Sequence, residues 1–362
     1  MKIIHVLEPF ASGVTTAVIS ITKELGDFQH SVVHGSRMWV DTLDNVKGKF
    51  PPGVVFIPWK YAGREISPVN DLRALFSLIS ILKREAGEGT VIHLHSSKAG
   101  FLGRIAAFVL GKKEVIYTPH GASFIRTDVG PLKRSFFKFL EKAGGVFGGN
   151  VVGCGKSEAE LYRNLGIGKE AVWVYNGVSP SELKKAPGAG LVVFTGIASR
   201  QKDPAFFNAI AGAFPGADFF WIGDGPLRKE LSASNITCTG WVNRPVMEDY
   251  LSRTLVYLSS SAWEGLPFGV LEAMDASCAL LLRDVPGNRD LVVSGENGYV
   301  YGSAGEGGEL LAAMLADREK TLAMGRKSRA LAESKYSVEA MGKNYRKIYT
   351  SLLETGKIDA PY

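Results

Sequence analysis

Glu264 and Glu272 stand on either side of the turn Gly265-Leu266-Pro267-Phe268-Gly269. Proline is pre-organised for the first helical position and lacks the N–H that would be orphaned there. The spacing therefore predicts a helix beginning near Pro267, with Glu264 in the loop before it and Glu272 one or two turns in. Both carboxylates can then face one crevice. Between them the N–H groups of Phe268 and Gly269 lie at the positive end of the helix dipole, where anions are held. Acids that accept hydroxyls, placed around an anion site, suit a ligand built like a sugar nucleotide.

Other residues of the right type follow short apolar runs. After "LVVFT" comes "GIASRQKDP", where Arg200 and Lys202 are placed to supply the positive charge that a desolvated diphosphate needs, or form a solvated charge pair. His120, in "TPHG", lies just past an apolar run, with Pro119 and Gly121 fixing the backbone on either side. It reads as a sugar or acceptor contact, or as a satisfied structural histidine. Gly13, after Ser12 in "EPFASGVTTAV", allows close backbone approach to a phosphate or sugar, or simply makes a turn. In "TGWVN" the backbone of Trp241 and Val242 is placed to read a base edge. His93 and His95 are two apart on a strand and share a face, yet no nearby Cys or carboxylate completes a ligand set, so no metal is expected. The chain has no Asp-x-Asp pair to hold a divalent ion, and none of the G-x-S-x-G, P-loop or G-x-G-x-x-G patterns. Charge neutralisation by Arg200, Lys202 and a helix N-terminus is the expectation.

The elements that must position these residues alternate from the start. "KIIHVL", "HSVVHG", "GVVFIPW", "TVIHLH", "EVIYTPH" and "GNVVGCG" read as strands with helical patterns between them. This is the βαβ rhythm of a parallel sheet covered on both faces. It pauses over residues 176–190, rich in Gly, Pro, Ser and Lys, and restarts with "LVVFTG", "DFFWIG", "NITCTG", "LVYLSS" and "CALLLR". The expectation is two doubly wound α/β domains, residues 1–176 and 188–336, with a cleft between them. The long amphipathic pattern 337–356 is a helix that packs back on the first domain. In such sheets ligands bind beyond the carboxyl ends of the strands, which is where all the residues above fall.

Composition narrows the class. With 362 residues, 46% hydrophobic and 22% charged, the chain is a globular protein long enough for two cores. No apolar run reaches the roughly 18 residues that span a bilayer, and the first ten residues do not make a signal peptide. Three scattered cysteines fit a reducing cytoplasm and core positions. The net charge of +6 divides into +7 for residues 1–180 and −1 for the rest. A basic first half fits an acidic substrate or an anionic membrane surface; nucleic acid is not expected, since no basic stripe is interleaved with aromatics. In residues 131–145, Leu132, Phe136, Phe137, Phe139 and Leu140 cluster with Lys133, Arg134, Lys138 and Lys142 around them. A core-facing helix is the expectation there, a membrane-surface helix the alternative.

Taken together and in order, "SGVTTAVISITKEL", "HLHSSKAGFLGRIAA", "TPHG", "NGV", "GIASRQKDP", "WIGDGPL", "EGLPFGVLE" and "VPGNRDLVVSGENGYV" resemble the retaining glycosyltransferases of family 4, over essentially the whole chain. That family has the B-type fold of two Rossmann-like domains, the first for the acceptor and the second for the donor. The resemblance implies that Glu272 holds the ribose hydroxyls, and that Glu264 with the backbone of Leu266, Phe268 and Gly269 contacts the donor sugar and phosphates. It implies that Arg200 and Lys202 bind the diphosphate and that His120 sits beside the reacting sugar. Gly13 would let its loop close over the pyrophosphate. Three positions depart from the family pattern: Ile197 stands where Arg often follows Gly196, Ser12 where Gly is common, and Pro267 where Gly is frequent.

The implied activity is metal-independent transfer of a hexose, with retention, from a nucleoside diphosphate sugar. UDP is favoured by family frequency. The acceptor would be a saccharide or lipid-linked glycan, in surface polysaccharide synthesis, and the enzyme cytoplasmic or peripheral on the inner membrane face. A non-hydrolysing sugar-nucleotide epimerase and a non-catalytic nucleotide-sugar-binding protein are the alternatives.

Overall fold

The computed structural model describes residues 1–361 except 11, 36–41, 64–65, 169–170, 184 and 187–189, and the backbone alone of Ser12. The expected linker 176–190 and the expected domain start at 188 lie partly outside the described residues. The chain forms two compact units. One comprises Met1–Ile125, Val129–Asn176 and Val338–Tyr362; the other comprises Arg126–Asp128 and Gly177–Ser337.

The first unit carries strands β1 (Lys2–Leu7), β2 (Gln29–His34), β3 (Val55–Pro58), β4 (Thr90–His95), β5 (Val115–Thr118), β6 (Asn150–Gly153) and β7 (Val172–Trp173) in the order β3-β2-β1-β4-β5-β6-β7. Every pairing is parallel. β1 and β4 are almost wholly buried because helices cover both faces of the sheet, which is why they read as continuous rather than alternating apolar runs. The strand order reverses between β1 and β4, so the crevice beyond their carboxyl ends is the natural ligand position of this unit. The C-terminal helix Val338–Thr355 belongs to the same unit, as expected, and buries Met341, Tyr345, Ile348, Tyr349 and Leu352 at helical spacing. A Cβ on Gly342 would lie 2.4 Å from the Glu24 side chain, so glycine sets how closely this helix meets Ser12–Glu24.

The second unit carries β8 (Leu191–Thr195), β9 (Phe219–Ile222), β10 (Ile236–Gly240), β11 (Thr254–Ser259), β12 (Ala279–Arg283) and β13 (Gly298–Tyr301) in the order β10-β9-β8-β11-β12-β13, again parallel. Its order reverses between β8 and β11. Cys154 and Cys278 are core residues as expected, while Cys238 is half-buried with its thiol donating to the Gly223 carbonyl at 3.3 Å.

One expectation is corrected. The helix Pro131–Val146 turns only part of its apolar face to the core: Phe137 packs against it and Leu140 is half-buried, but Leu132 is 89% exposed, Phe136 44%, Phe139 63% and Val146 80%. Its fully buried residues are Glu141 and Gly144. Glu141 accepts from Arg104 Nη2 at 3.1 Å and from the Tyr117 hydroxyl at 2.9 Å, so a buried polar cluster docks the helix. No helix among the described residues is long and apolar enough to cross a membrane.

Candidate active site

At the reversal point of the second unit, Gly196 follows β8 and leads to Lys202. The segment after β11 carries Glu264. Their side chains meet: Lys202 Nζ lies 2.5 Å from Glu264 Oε1, and Glu264 is buried. Gln201 donates its amide to the Trp263 carbonyl at 3.1 Å and to Glu264 Oε2 at 3.4 Å, and Ala262 N–H donates to the Gln201 carbonyl at 2.8 Å. The Ser260 hydroxyl donates to the Lys202 carbonyl at 2.6 Å. The two loops are thus one hydrogen-bonded unit that aims a cation at the carboxyl ends of β8 and β11.

The helix after Glu264 runs Phe268–Asp275. Pro267 occupies the capping position with extended backbone, one place before the first helical position predicted for it. Among the described residues, the N–H groups of Phe268 and Gly269 have no acceptor, as expected of the first helical residues. Gly269 is required for packing: a Cβ there would lie 2.5 Å from Thr195 Oγ1 and 2.8 Å from the Tyr257 hydroxyl, which themselves hydrogen-bond at 2.7 Å. The helix start is therefore pressed onto the end of β8. The loop is held from beneath as well, since Gly287 has φ +83° and a Cβ there would lie 1.9 Å from the Gly265 carbonyl. Leu266 between them is buried.

Glu272 is in a different state from Glu264. It is half-buried, and among the described residues its carboxylate accepts no hydrogen bond. Burial raises its pKa, with Arg244 opposing that shift and Glu248 and Asp275 adding to it. It borders a small cavity of about 30 Å³ together with Ser181, Leu183, Arg244 and Met247. A desolvated carboxylate without donors is suited to taking hydroxyls.

The structure therefore brings Lys202, Glu264, Leu266, Phe268 and Gly269 together, with Glu272 one turn along the same helix. It does not bring Arg200 into that group: the side chain is exposed and has neither a hydrogen bond nor an ion pair among the described residues. Trp241 is exposed and Val242 half-buried just past β10, the edge strand two places from β8.

In the first unit Gly13 is the second residue of Ser12–Glu24, near the end of β1. His120 follows β5 in an unusual backbone, φ +55°, with Gly121 at +101°. This bend is held by Glu158, whose carboxylate accepts from Gly121 N–H at 2.6 Å and Cys154 N–H at 2.8 Å. Burial pulls the pKa of His120 down to about 4, so the ring is neutral at neutral pH. Its Nε2 lies 2.9 Å from His95 Nδ1.

Three contributors were not singled out in the sequence: Gln201, the Thr195–Tyr257 pair and Glu158. Only Glu158 had a local signal. It stands three residues after the helix cap Gly155, where a glutamate reaches back to orphan N–H groups. The other two act across 62 residues of chain, a distance no short pattern reports.

Two doubly wound units, one bearing a paired cation and carboxylate, a helix N-terminus and a carboxylate that accepts no hydrogen bond among the described residues, form the B-type architecture of glycosyltransferases. The family described as Glycosyltransferase Family 4 matches residues 11–182, and that described as Glycosyl transferases group 1 matches residues 189–317. The chain belongs to the family 4 glycosyltransferases. It is 27% identical over 336 residues to UDP-Gal:alpha-D-GlcNAc-diphosphoundecaprenol alpha-1,3-galactosyltransferase of Escherichia coli, covering 83% of this chain and 84% of that one. It is 28% identical over 352 residues to the Escherichia coli O-antigen biosynthesis glycosyltransferase WbnH, covering 89% and 96%. The structure of Anabaena HepE in complex with UDP and glucose superimposes with a TM-score of 0.78 at 15% identity, over 97% of this chain and 100% of that one, a likeness of fold.

Proposed function

We propose that this glycosyltransferase moves a hexose from a UDP-sugar to a lipid-linked saccharide, with retention and without a metal ion. The observation that carries the reading is the opposite state of the two glutamates on one loop and helix. Glu264 is buried and spent on Lys202, whereas Glu272 is desolvated and accepts no hydrogen bond among the described residues. Glu272 then takes the ribose hydroxyls, and the Phe268 and Gly269 N–H groups with Lys202 take the diphosphate. Arg200 is free to swing to the same charge. His120 and Gly13 are assigned to the sugar and pyrophosphate, and Trp241 and Val242 to the base. As the C1–O bond to the diphosphate breaks, the acceptor oxygen attacks C1 on the same face, and its proton passes to the departing phosphate oxygen. The similar Escherichia coli galactosyltransferase, named for UDP-Gal and GlcNAc-diphosphoundecaprenol, supports this choice of donor and acceptor.

The test is calorimetric titration with UDP, GDP and ADP, without added metal, on the wild type and on Glu272→Ala. A carboxylate holding two hydroxyls through charge-assisted bonds is expected to make UDP binding about a hundredfold tighter than in Glu272→Ala. The pH dependence follows from the raised pKa. As pH falls, Glu272 gains its proton and loses acceptor capacity at a higher pH than an ordinary carboxylate, so wild-type affinity declines first and approaches that of Glu272→Ala. Equal UDP affinity in both proteins removes the ribose assignment. Conversion of UDP-galactose to its epimer without acceptor would favour an epimerase instead.

The enzyme is proposed to meet a membrane surface through the helix Pro131–Val146. Leu132, Phe136, Phe139 and Val146 are exposed, and Lys133, Arg134, Lys138 and Lys142 stand on the same short helix. Apolar side chains enter the interface while each basic residue near anionic lipid adds about 1 kcal/mol. Phe136→Ser combined with Phe139→Ser is expected to weaken flotation with phosphatidylglycerol vesicles about tenfold or more, given roughly 1.5–3 kcal/mol for a fully buried apolar side chain. Unchanged flotation rules this face out.

A further inference from the structure

Four of the six histidines lie on, or two residues past, four neighbouring strands of one sheet, each stepped along from the last. In the spatial order β2-β1-β4-β5, His30, His5 and His95 lie on the first three strands and His120 two residues past the fourth. Their ring centroids are 5.4, 5.4 and 5.2 Å apart, close to the roughly 4.8 Å between strands. The nitrogens are joined end to end: His30 Nδ1 to His5 Nε2 at 3.2 Å, His5 Nδ1 to His95 Nε2 at 3.1 Å, and His95 Nδ1 to His120 Nε2 at 2.9 Å. The line begins at the Leu25 carbonyl, 2.9 Å from His30 Nε2.

That first partner sets the direction of every bond. A carbonyl only accepts, so His30 carries its proton on Nε2 and presents a lone pair at Nδ1. His5 must then donate from Nε2 and accept at Nδ1, and His95 does the same in turn. Burial lowers the pKa of all four rings, so the neutral forms required are those present at neutral pH. His120 comes last, donating from Nε2, and among the described residues its Nδ1 has no partner.

We infer that this line holds His120 as the Nε2–H tautomer and thereby makes its Nδ1 a fixed acceptor for a sugar hydroxyl, with His30, His5 and His95 as positioning residues. The inference rests on the assignment of His120 to the reacting sugar. A nitrogen that only accepts favours a sugar presenting O–H there and leaves a deoxy analogue without its partner. The nitrogens of His5, His93 and His95 also lie within 4.8 Å of one another, a grouping that could hold a metal ion. His93, however, has both nitrogens engaged, by the Tyr349 hydroxyl at 2.7 Å and Thr118 Oγ1 at 2.9 Å, and the other two rings are spent along the line.

The test is long-range proton–nitrogen spectroscopy of the full chain labelled with ¹⁵N-histidine, at neutral pH. All four rings are expected as Nε2–H tautomers. In His30→Leu the acceptor for His5 is removed and the line can invert, so His120, three rings away, should show a mixture of tautomers and kcat with UDP-galactose should fall about fivefold. In His30→Asn an oxygen replaces the Nδ1 acceptor, and both readouts should return toward wild type. An Nδ1–H tautomer at any of the four rings of the wild type overturns the inference, as does an unchanged His120 signal in folded His30→Leu. Stoichiometric zinc in the purified protein overturns it too. Should His30→Leu not fold, the wild-type and His30→Asn spectra still decide. The spectra need no substrate, so a correct line in a protein that does not use UDP-galactose would defeat the functional reading alone.

Discussion

Replacing Lys202 with alanine is expected to lower kcat/KM for transfer from UDP-galactose by about 10³, roughly 4 kcal/mol of transition-state stabilisation. The leaving diphosphate gains charge as its bond to the sugar breaks, and Lys202 is the cation that pairs with Glu264; Arg283, at the same loops, is held instead by Asp203 and the Ser260 carbonyl. Arg200, exposed and without an ion pair among the described residues, can supply only part of that charge. The substitution also strips a buried carboxylate of its cation, so a thermal melt must accompany the kinetics. A large fall in kcat/KM with the melting temperature displaced by only a few degrees assigns the effect to chemistry. A rate within tenfold of wild type would mean that the helix N-terminus and Arg200 neutralise the diphosphate, and that Lys202 merely orients Glu264.

The second large effect concerns stability. Glu141→Ala should destabilise the protein by about 3–5 kcal/mol, the usual cost of leaving one member of a buried ion pair uncompensated. Arg104 and Glu141 are both almost fully buried, and Arg104 Nη1 already lacks a hydrogen-bond partner among the described residues. Its Nε donates to the Gly100 carbonyl at 2.9 Å, and its guanidinium lies over the Tyr117 ring at 4.6 Å, so the charge has no route to water. The Tyr117 hydroxyl, whose pKa is pushed well up by burial and by Glu141, loses its carboxylate acceptor at the same time and keeps only the Tyr162 hydroxyl at 3.3 Å. Urea titration checks this, and a loss below 1 kcal/mol would show that the cluster relaxes or hydrates. Because the pair docks the helix Pro131–Val146, Glu141→Ala should also loosen the surface proposed to meet lipid.

The helix Pro131–Val146 shows how far local pattern can mislead. Its clustered apolar residues and scattered lysines satisfy both a core-facing helix and a membrane-surface helix, since amphipathic spacing states that one face avoids water without naming what covers it. Only the packing of Glu141 and Gly144 against the sheet-covering helices decides which way the apolar side chains point. The tautomer of His120 was similarly invisible. The histidines lie at positions 5, 30, 95 and 120, and nothing in their spacing reveals that strand order sets them side by side.

By itself the sequence determined the βαβ rhythm, the return of a C-terminal helix to the first unit, the presence of Lys202, Glu264 and His120 past the ends of strands, and Glu272 on the helix that follows. These are local properties. Apolar periodicity, proline and glycine act over a few residues and mark where a strand stops and a loop begins. The tertiary structure alone decided that Lys202 meets Glu264 across 62 residues, that Glu272 has no donor among the described residues while Arg200 stays exposed, that Glu158 holds the bend at Gly121, and that four histidines form one line. Those outcomes depend on strand order and crossover, which bring distant segments together through burial that no single window of sequence contains.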